Sequence, residues 1–524
     1  MKNKVPYLIL IVLLSTVIYS CKEKIHTDFS YEPEMPKIGD SVYFTNLSAG
    51  GEDFDWTFRN NATSSVTRSI LKNPIRVFTT PGEYSVTLRV DSNDNNVRTK
   101  SFYVYDSIPS IAKNKAAVGF YNDVTFSAIA YNPLNRVKTY QWYFSLNAEG
   151  DSLRLTEDGT MKTATAPEPI VYFTEKEVTE IVKLHMTIGD SIYTTEQIPP
   201  MTFTIEDVKT RSLLMAKKDG NVLRQRIFEK GVDVVEDTGI AAGAHPFNIV
   251  SSGEQLFIFD AGSNIEEISN WKTDTNGDGS IQVVNLKTNV KETVISNAGT
   301  SSYFGFYNGY VDGSNVYWTD RNDFVYQTPK TTRNQVFEWK DNEQDELPYY
   351  VTRAESLSHL GLGQGLLSGG IYFYDNLYYW AKGGAGKGIY RFEKENLSNT
   401  FRVILPEYSI RAFAYDRNNR QIYFSSTDSL GTCVAGFYVS NIDGLEVRKI
   451  DSAPIDDASK YITGIVIDSD AKKVLWAYRA PEGLDGSGIK QIKIVRSDTE
   501  KPEPATYFNK EEGIYGITLD DNLR

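Results

Sequence analysis

Apolar residues along this chain recur in short runs that alternate with polar ones and are broken by Gly, Asn, Asp and Pro, a period-two pattern that predicts strands. One unit returns throughout the C-terminal part. EQLFIFDAG (254–262), SNVYWTDRN (314–322), DNLYYWAKG (375–383), RQIYFSSTD (420–428) and KKVLWAYRA (472–480) each carry a polar turn, a branched residue, an aromatic-rich strand and a polar exit. TRSLLMAKKDGNVLRQRIF (210–228) is a sixth version. Matching strands precede several units, as in FYNGYVDGS, IRAFAYDRNN and ITGIVIDSDA, and others follow, as in GIYRFEK and GFYVSNIDG.

The units lie about 43 to 61 residues apart, near the period of four-stranded propeller blades. The final residues, GIYGITLDDNLR, match a leading strand with no unit after it, whereas 210–228 is a unit with no leading strand. Joining the two ends completes one blade and removes exposed sheet edges. Residues 208–524 are therefore expected to form a six-bladed β-propeller. The Tyr317-Trp318-Thr319-Asp320 tetrad resembles the repeat of six-bladed receptor propellers, and its aromatics are expected inside the blades.

Upstream, DSVYFTNLS places Val42, Phe44 and Leu47 as inward candidates, and DFDWTF puts Phe54, Trp56 and Phe58 on one face. NPIRVFTTPGEYSVTLRVDS reads as strand, turn, strand, with Tyr84, Val86, Leu88 and Val90 aligned. A small sandwich around a buried Trp follows for residues 37–106. Asp55-Trp56-Thr57-Phe58 and Pro81-Gly82-Glu83-Tyr84-Ser85-Val86-Thr87-Leu88 resemble the tryptophan strand and closing hairpin of PKD domains, immunoglobulin-like modules of extracellular proteins. RNN replaces the Gly-Asp-Gly usual in that family. Residues 107–207 read as a second, more divergent PKD/Ig-like sandwich, with Trp142 in the place of Trp56 and Val182, Leu184, Met186 and Ile188 on one face. Both modules are expected to be spacers. The fold class is thus all-β: two sandwiches and a propeller.

The N-terminus adds a compartment. Lys2 and Lys4 precede an apolar run from Leu8 to Ile18, too short to span a bilayer but suited to a signal peptide. Tyr19-Ser20-Cys21 resembles a bacterial lipobox, which implies removal of 1–20 and acylation of Cys21. Residues 21–36, polar with two prolines, read as a tether. The one other cysteine, Cys433, lies in strand-like GTCVAGFYVS and reads as a buried inert thiol.

The net charge of −13 comes with no Lys/Arg cluster, which argues against a nucleic-acid partner. His26, His185, His245 and His359 are scattered and give no catalytic or metal-ligand spacing. Propellers bind ligands on the loops of one end. The long segments 261–280 and 328–370 supply Trp271, Trp339, Tyr349 and Tyr350 beside amides and carboxylates, a combination that suits sugars; covering seams between blades is the other reading. In DTNGDGSIQ, Asp274, Asn276, Asp278 and Ser280 match the first four ligand positions of a calcium loop. The bidentate Glu is replaced by Asn285, and a plain hairpin turn stays open.

The layout resembles surface glycan-binding lipoproteins of Sus-like polysaccharide-utilisation systems. That resemblance implies outer-membrane anchoring at the cell surface and noncatalytic capture of an oligosaccharide or polysaccharide beside a SusC/SusD-like transporter. A protein-binding adhesin or scaffold, and a polysaccharide lyase or glycosidase, are the alternatives.

Overall fold

The structure is a computed structural model that describes residues 26–263, 278–297, 306–319, 324–337, 350–353, 367–383, 386–426, 436–451, 462–480, 485–497 and 503–522. The lipidation candidate Cys21 and Cys433 lie outside these. Among the described residues the regular structure is almost entirely β, and the chain divides into two compact units, Met1–Val208 and Lys209–Arg524. Among the described residues, no helix is long and apolar enough to cross a membrane.

The first unit contains two pairs of facing sheets. In the first pair, Phe29–Glu32, Ser41–Asn46 and Ile75–Val77 make one sheet, and Val66–Ser69, Phe54–Asn60, Gly82–Val90 and Val97–Val104 the other. Alternation drives this pairing: Trp56, Phe58, Tyr84, Val86, Leu88 and Val90 turn inward and meet Val42 and Phe44 of the facing sheet. Burying such side chains is worth roughly 1.5–3 kcal/mol each. In the second pair, Trp142 and Phe144 pack against Phe126, and Val182, Leu184, Met186 and Ile188 are buried as their spacing predicts. The Trp142 Nε1–H donates to the Ala166 carbonyl at 2.9 Å, so the tryptophan is core and bonded at its polar edge.

Two sequence expectations change here. Phe29–Glu32, expected as tether, pairs with Ser41–Asn46, because the Phe29 ring fills the core against Trp56 at 5.0 Å. Leu47 is 53% exposed; it follows the last residue of its strand, where the alternation no longer constrains it.

Among the described residues the second unit holds six sheets. Five are built on antiparallel meanders led by Pro246–Ser252, Asn308–Val311, Leu367–Tyr374, Ile410–Asp416 and Ile462–Asp468, numbered below as the second to sixth sheets, and the second adds Gln335–Val336 parallel to its Lys291–Ser296 edge. The first combines Glu236–Gly243, Gly220–Arg226 and Ser212–Lys217 with the C-terminal Ile514–Asp520. Ser212 pairs with Asp520 and Leu214 with Thr518. The sequence expectation that the last strand completes the first unit is met strand by strand.

The leading strands touch in a cycle: 246–252 meets 308–311, then 367–374, 410–416, 462–468, 514–520 and 246–252 again. Apolar cores fill the seams between neighbours. Trp318 faces the core shared with the second sheet, while adjacent Tyr317 faces the core shared with the fourth. Tyr379 and Trp380 split in the same way between two seams, as do Leu475 and Trp476. Because both faces of these strands are covered, their sequences read as unbroken aromatic runs. Tyr317 and Trp318 are thus buried packing residues.

Glycine permits the tight cycle at particular places. A Cβ on Gly309 would come 1.9 Å from Cε1 of Phe259, and one on Gly369 would come 2.5 Å from the Arg411 carbonyl oxygen. Both contacts join neighbouring sheets, so a side chain there would push the sheets apart.

Candidate ligand site at the channel mouth

The leading strands surround a channel of about 250 Å³. Asn248, Asn308, Thr463 and Thr518 contribute polar side chains to its walls, and Ile249, Ile371 and Ile517 apolar ones. Asn248 Nδ2 donates to Asn308 Oδ1 at 2.9 Å.

At the end where the leading strands begin, the channel is filled. Phe247, Tyr307 and Tyr515 form a buried cluster, with the Phe247 and Tyr307 rings stacked at 5.4 Å. The Arg411 guanidinium lies 4.4 Å from the Phe247 centroid, and that of Arg479 lies 3.6 Å from the Tyr515 centroid while donating to Thr463 Oγ1 at 3.0 Å. All five side chains are at least nine-tenths buried. His245 belongs to this end too. Its Nδ1 sits 2.7 Å from the Gly262 carbonyl, and its backbone N–H donates to Asp260 Oδ1 at 2.8 Å. Burial pushes the Asp260 carboxyl up, opposed by N–H groups of His245, Gly262 and Ala244. These bonds tie the turn before Phe247 to the end of the strand Gln255–Asp260.

The other end, where the leading strands finish, is accessible and tyrosine-rich. Tyr310 of the third sheet, Tyr372 and Tyr374 of the fourth and Tyr415 of the fifth converge there. Centroids lie 4.6 Å apart for Tyr310 and Tyr372, 5.7 Å for Tyr372 and Tyr415 and 5.6 Å for Tyr374 and Tyr415. Tyr374 is 36% exposed and Tyr415 only 8%. Arg417, in the turn after Ile410–Asp416, donates to Tyr372 Oη at 2.6 Å and to Tyr310 Oη at 3.1 Å. Burial pushes the Tyr415 phenol up to about 12, and that of Tyr372 upward as well, so these hydroxyls stay protonated at neutral pH.

No family model matches the chain, and no curated protein matches it. Among solved structures, it is similar to a DUF4784 family protein from Bacteroides caccae at 9% identity and TM-score 0.31, over 78% of this chain and 98% of that one. It is also similar to the β-propeller domain of Cps50 (Swd1) from Myceliophteria thermophila, at 10% identity and TM-score 0.31, over 59% of this chain and 90% of that one. Murine CEACAM1b shares 13% identity at TM-score 0.14 over 35% of this chain and its own full length.

Of the residues singled out from sequence, Trp271, Trp339 and Tyr349 lie outside the described residues. Tyr350 does not stand in an open loop. It begins the strand Tyr350–Arg353, paired with Phe324–Pro329, so the segment 328–370 is interrupted by sheet structure. Of the calcium-loop positions, Asp274 and Asn276 lie outside the described residues. Asp278 Oδ1 accepts the Ser263 N–H at 2.9 Å, and Ser280 opens the strand Ser280–Asn285, opposite Asp260. Both described positions thus hold the base of a hairpin together. The tyrosine mouth was missed because its members are far apart in sequence. Its signal is an aromatic residue closing a leading strand next to an Asp turn: GYVDG, YFYDN and AYDRN.

Proposed function

We propose that the chain is a surface lipoprotein, anchored through Cys21, that captures oligosaccharide without catalysis. Two PKD-type sandwiches act as spacers, and a six-bladed propeller presents the ligand site. The closed cycle of six sheets, five of four strands and the second of five, with the C-terminal strand completing the first, supports the propeller reading. The facing sheets around Trp56 and Trp142 support the sandwich reading.

One observation carries the binding function: an accessible channel mouth walled by tyrosine rings and backed by amide and hydroxyl side chains. Ring faces pack against sugar C–H faces, and amides and hydroxyls pair with sugar hydroxyls. The outer membrane through its lipid, and a SusC/SusD-like transporter, are the proposed partners.

Affinity electrophoresis through gels containing neutral and acidic polysaccharides tests this. Tyr374→Ala, at a partly exposed ring, is expected to weaken retention about 2- to 10-fold with the melting temperature unchanged. Retention equal to wild type places the site elsewhere. If wild-type protein is retained by none of the polysaccharides, the glycan reading fails.

A further inference from the structure

Neutral sugars do not require a cation, yet this mouth is built around one. The Arg417 guanidinium carbon lies 4.6 Å from the Tyr374 centroid and 5.5 Å from that of Tyr372. Its Nε and Nη2 donate to the hydroxyls of Tyr372 and Tyr310. Arginine has five N–H donors in a planar fork. Two hydrogen bonds leave three, including both on Nη1. Among the described residues Arg417 forms no ion pair, in a chain whose 68 acidic side chains outnumber 55 basic ones. Side chains from two neighbouring sheets therefore hold an exposed guanidinium in one orientation. The ordering cost that a flexible arginine meets on binding is largely met by the fold.

Such a fork matches a carboxylate, which it can bind through two parallel N–H···O bonds. The channel behind it, about 250 Å³, is smaller than the roughly 300–1,000 Å³ of ordinary small-molecule sites. It is also stopped at its far end by Arg411 on Phe247. That volume suits one sugar ring, not a stretch of chain passing through.

We infer that Arg417 is a carboxylate-binding residue, and that this mouth takes the terminal uronate of an acidic oligosaccharide. The carboxylate lies on the guanidinium edge, and the ring packs against Tyr374 and Tyr372. This rests on the glycan reading above, and the test separates the two.

Isothermal titration would compare tetragalacturonate with cellotetraose and maltotetraose, using wild type, Arg417→Gln and Arg417→Lys, with thermal melts on each. The expected result is binding of the uronate oligomer, weakened about 10-fold or more by Arg417→Gln. Arg417→Lys, which keeps the charge and loses the fork, falls between. The lysine variant also carries the test if the glutamine variant does not fold. Neutral oligomers bound as well as the uronate, or uronate affinity unchanged in the variants, overturns this inference and leaves the glycan reading standing. Binding of none of the three overturns both.

Discussion

Arg411 stacks on Phe247, 4.4 Å from guanidinium carbon to ring centroid, although the two residues stand on leading strands three sheets apart in the cycle. A contact across that separation spans the axis of the six sheets and closes the channel at one end. It divides the channel into a filled end and an accessible one, and so decides where a ligand enters.

Removing the charge while keeping the volume should weaken the second unit modestly. Arg411→Met is expected to cost about 0.5–2 kcal/mol, the range of cation–π contacts. Phe247→Leu should couple with it, so the double variant loses less than the two single losses combined. Chemical denaturation of the four proteins measures this. Strictly additive losses would mean that the two side chains do not interact.

Gly309 and Gly369 should respond differently to the same substitution. Gly309→Ala drives a methyl into the Phe259 ring and should cost about 1–3 kcal/mol. Phe259→Leu should partly rescue it by withdrawing the ring. Gly369→Ala meets the Arg411 and Ile410 carbonyls, which no side-chain change moves, so no such rescue exists there. Gly313, with nothing within 4 Å of its Cβ position, is the control, and Gly313→Ala should leave the melting temperature unchanged.

The buried tyrosines of the mouth and of the seams between sheets impose an alkaline limit. Burial is the main cause that pushes Tyr378 and Tyr415 up to about 12, and Tyr372, Tyr379 and Tyr317 also upward, from an ordinary 10.0. A pKa raised in the folded state means that the unfolded chain releases its protons first. Below pH 10 these groups leave stability unchanged with pH. Between pH 10 and about 12 stability is progressively lost. Thermal melts from pH 8.5 to 11.5 should show a steep fall beginning near pH 10. A melting temperature held constant to pH 11.5 would contradict the burial of these phenols.

Much of this architecture was legible in the sequence because it rests on local alternation. Trp56 and Trp142 sit in strands whose pattern alone places them in cores. The unpaired strand pattern at the C-terminus and the unpaired unit at 210–228 each lacked what the other supplied, and Ser212–Lys217 does pair with Ile514–Asp520. The candidate site was less legible. Tyr310, Tyr372 and Tyr415 lie on three strands that pattern analysis finds one at a time, and only the cycle brings their ends together. Aromatics in long loops drew attention because loops carry function in propellers, whereas the mouth is built from strand ends and one turn arginine. Phe29 is not legible in the sequence because its context is polar and proline-bearing and offers a single apolar ring.

The contact on which the channel depends is the pairing of Leu214 with Thr518 across the two ends of the second unit. Paired strand positions lie about 4.5–5.5 Å apart at Cα, within the span of a disulfide. In protein lacking Cys21 and Cys433, Leu214→Cys with Thr518→Cys should oxidise to an intramolecular disulfide in the native state and raise the melting temperature. Free thiols in the folded protein, or only disulfide-linked dimers, would show that the ring does not close here and that the tyrosine mouth is not assembled as described.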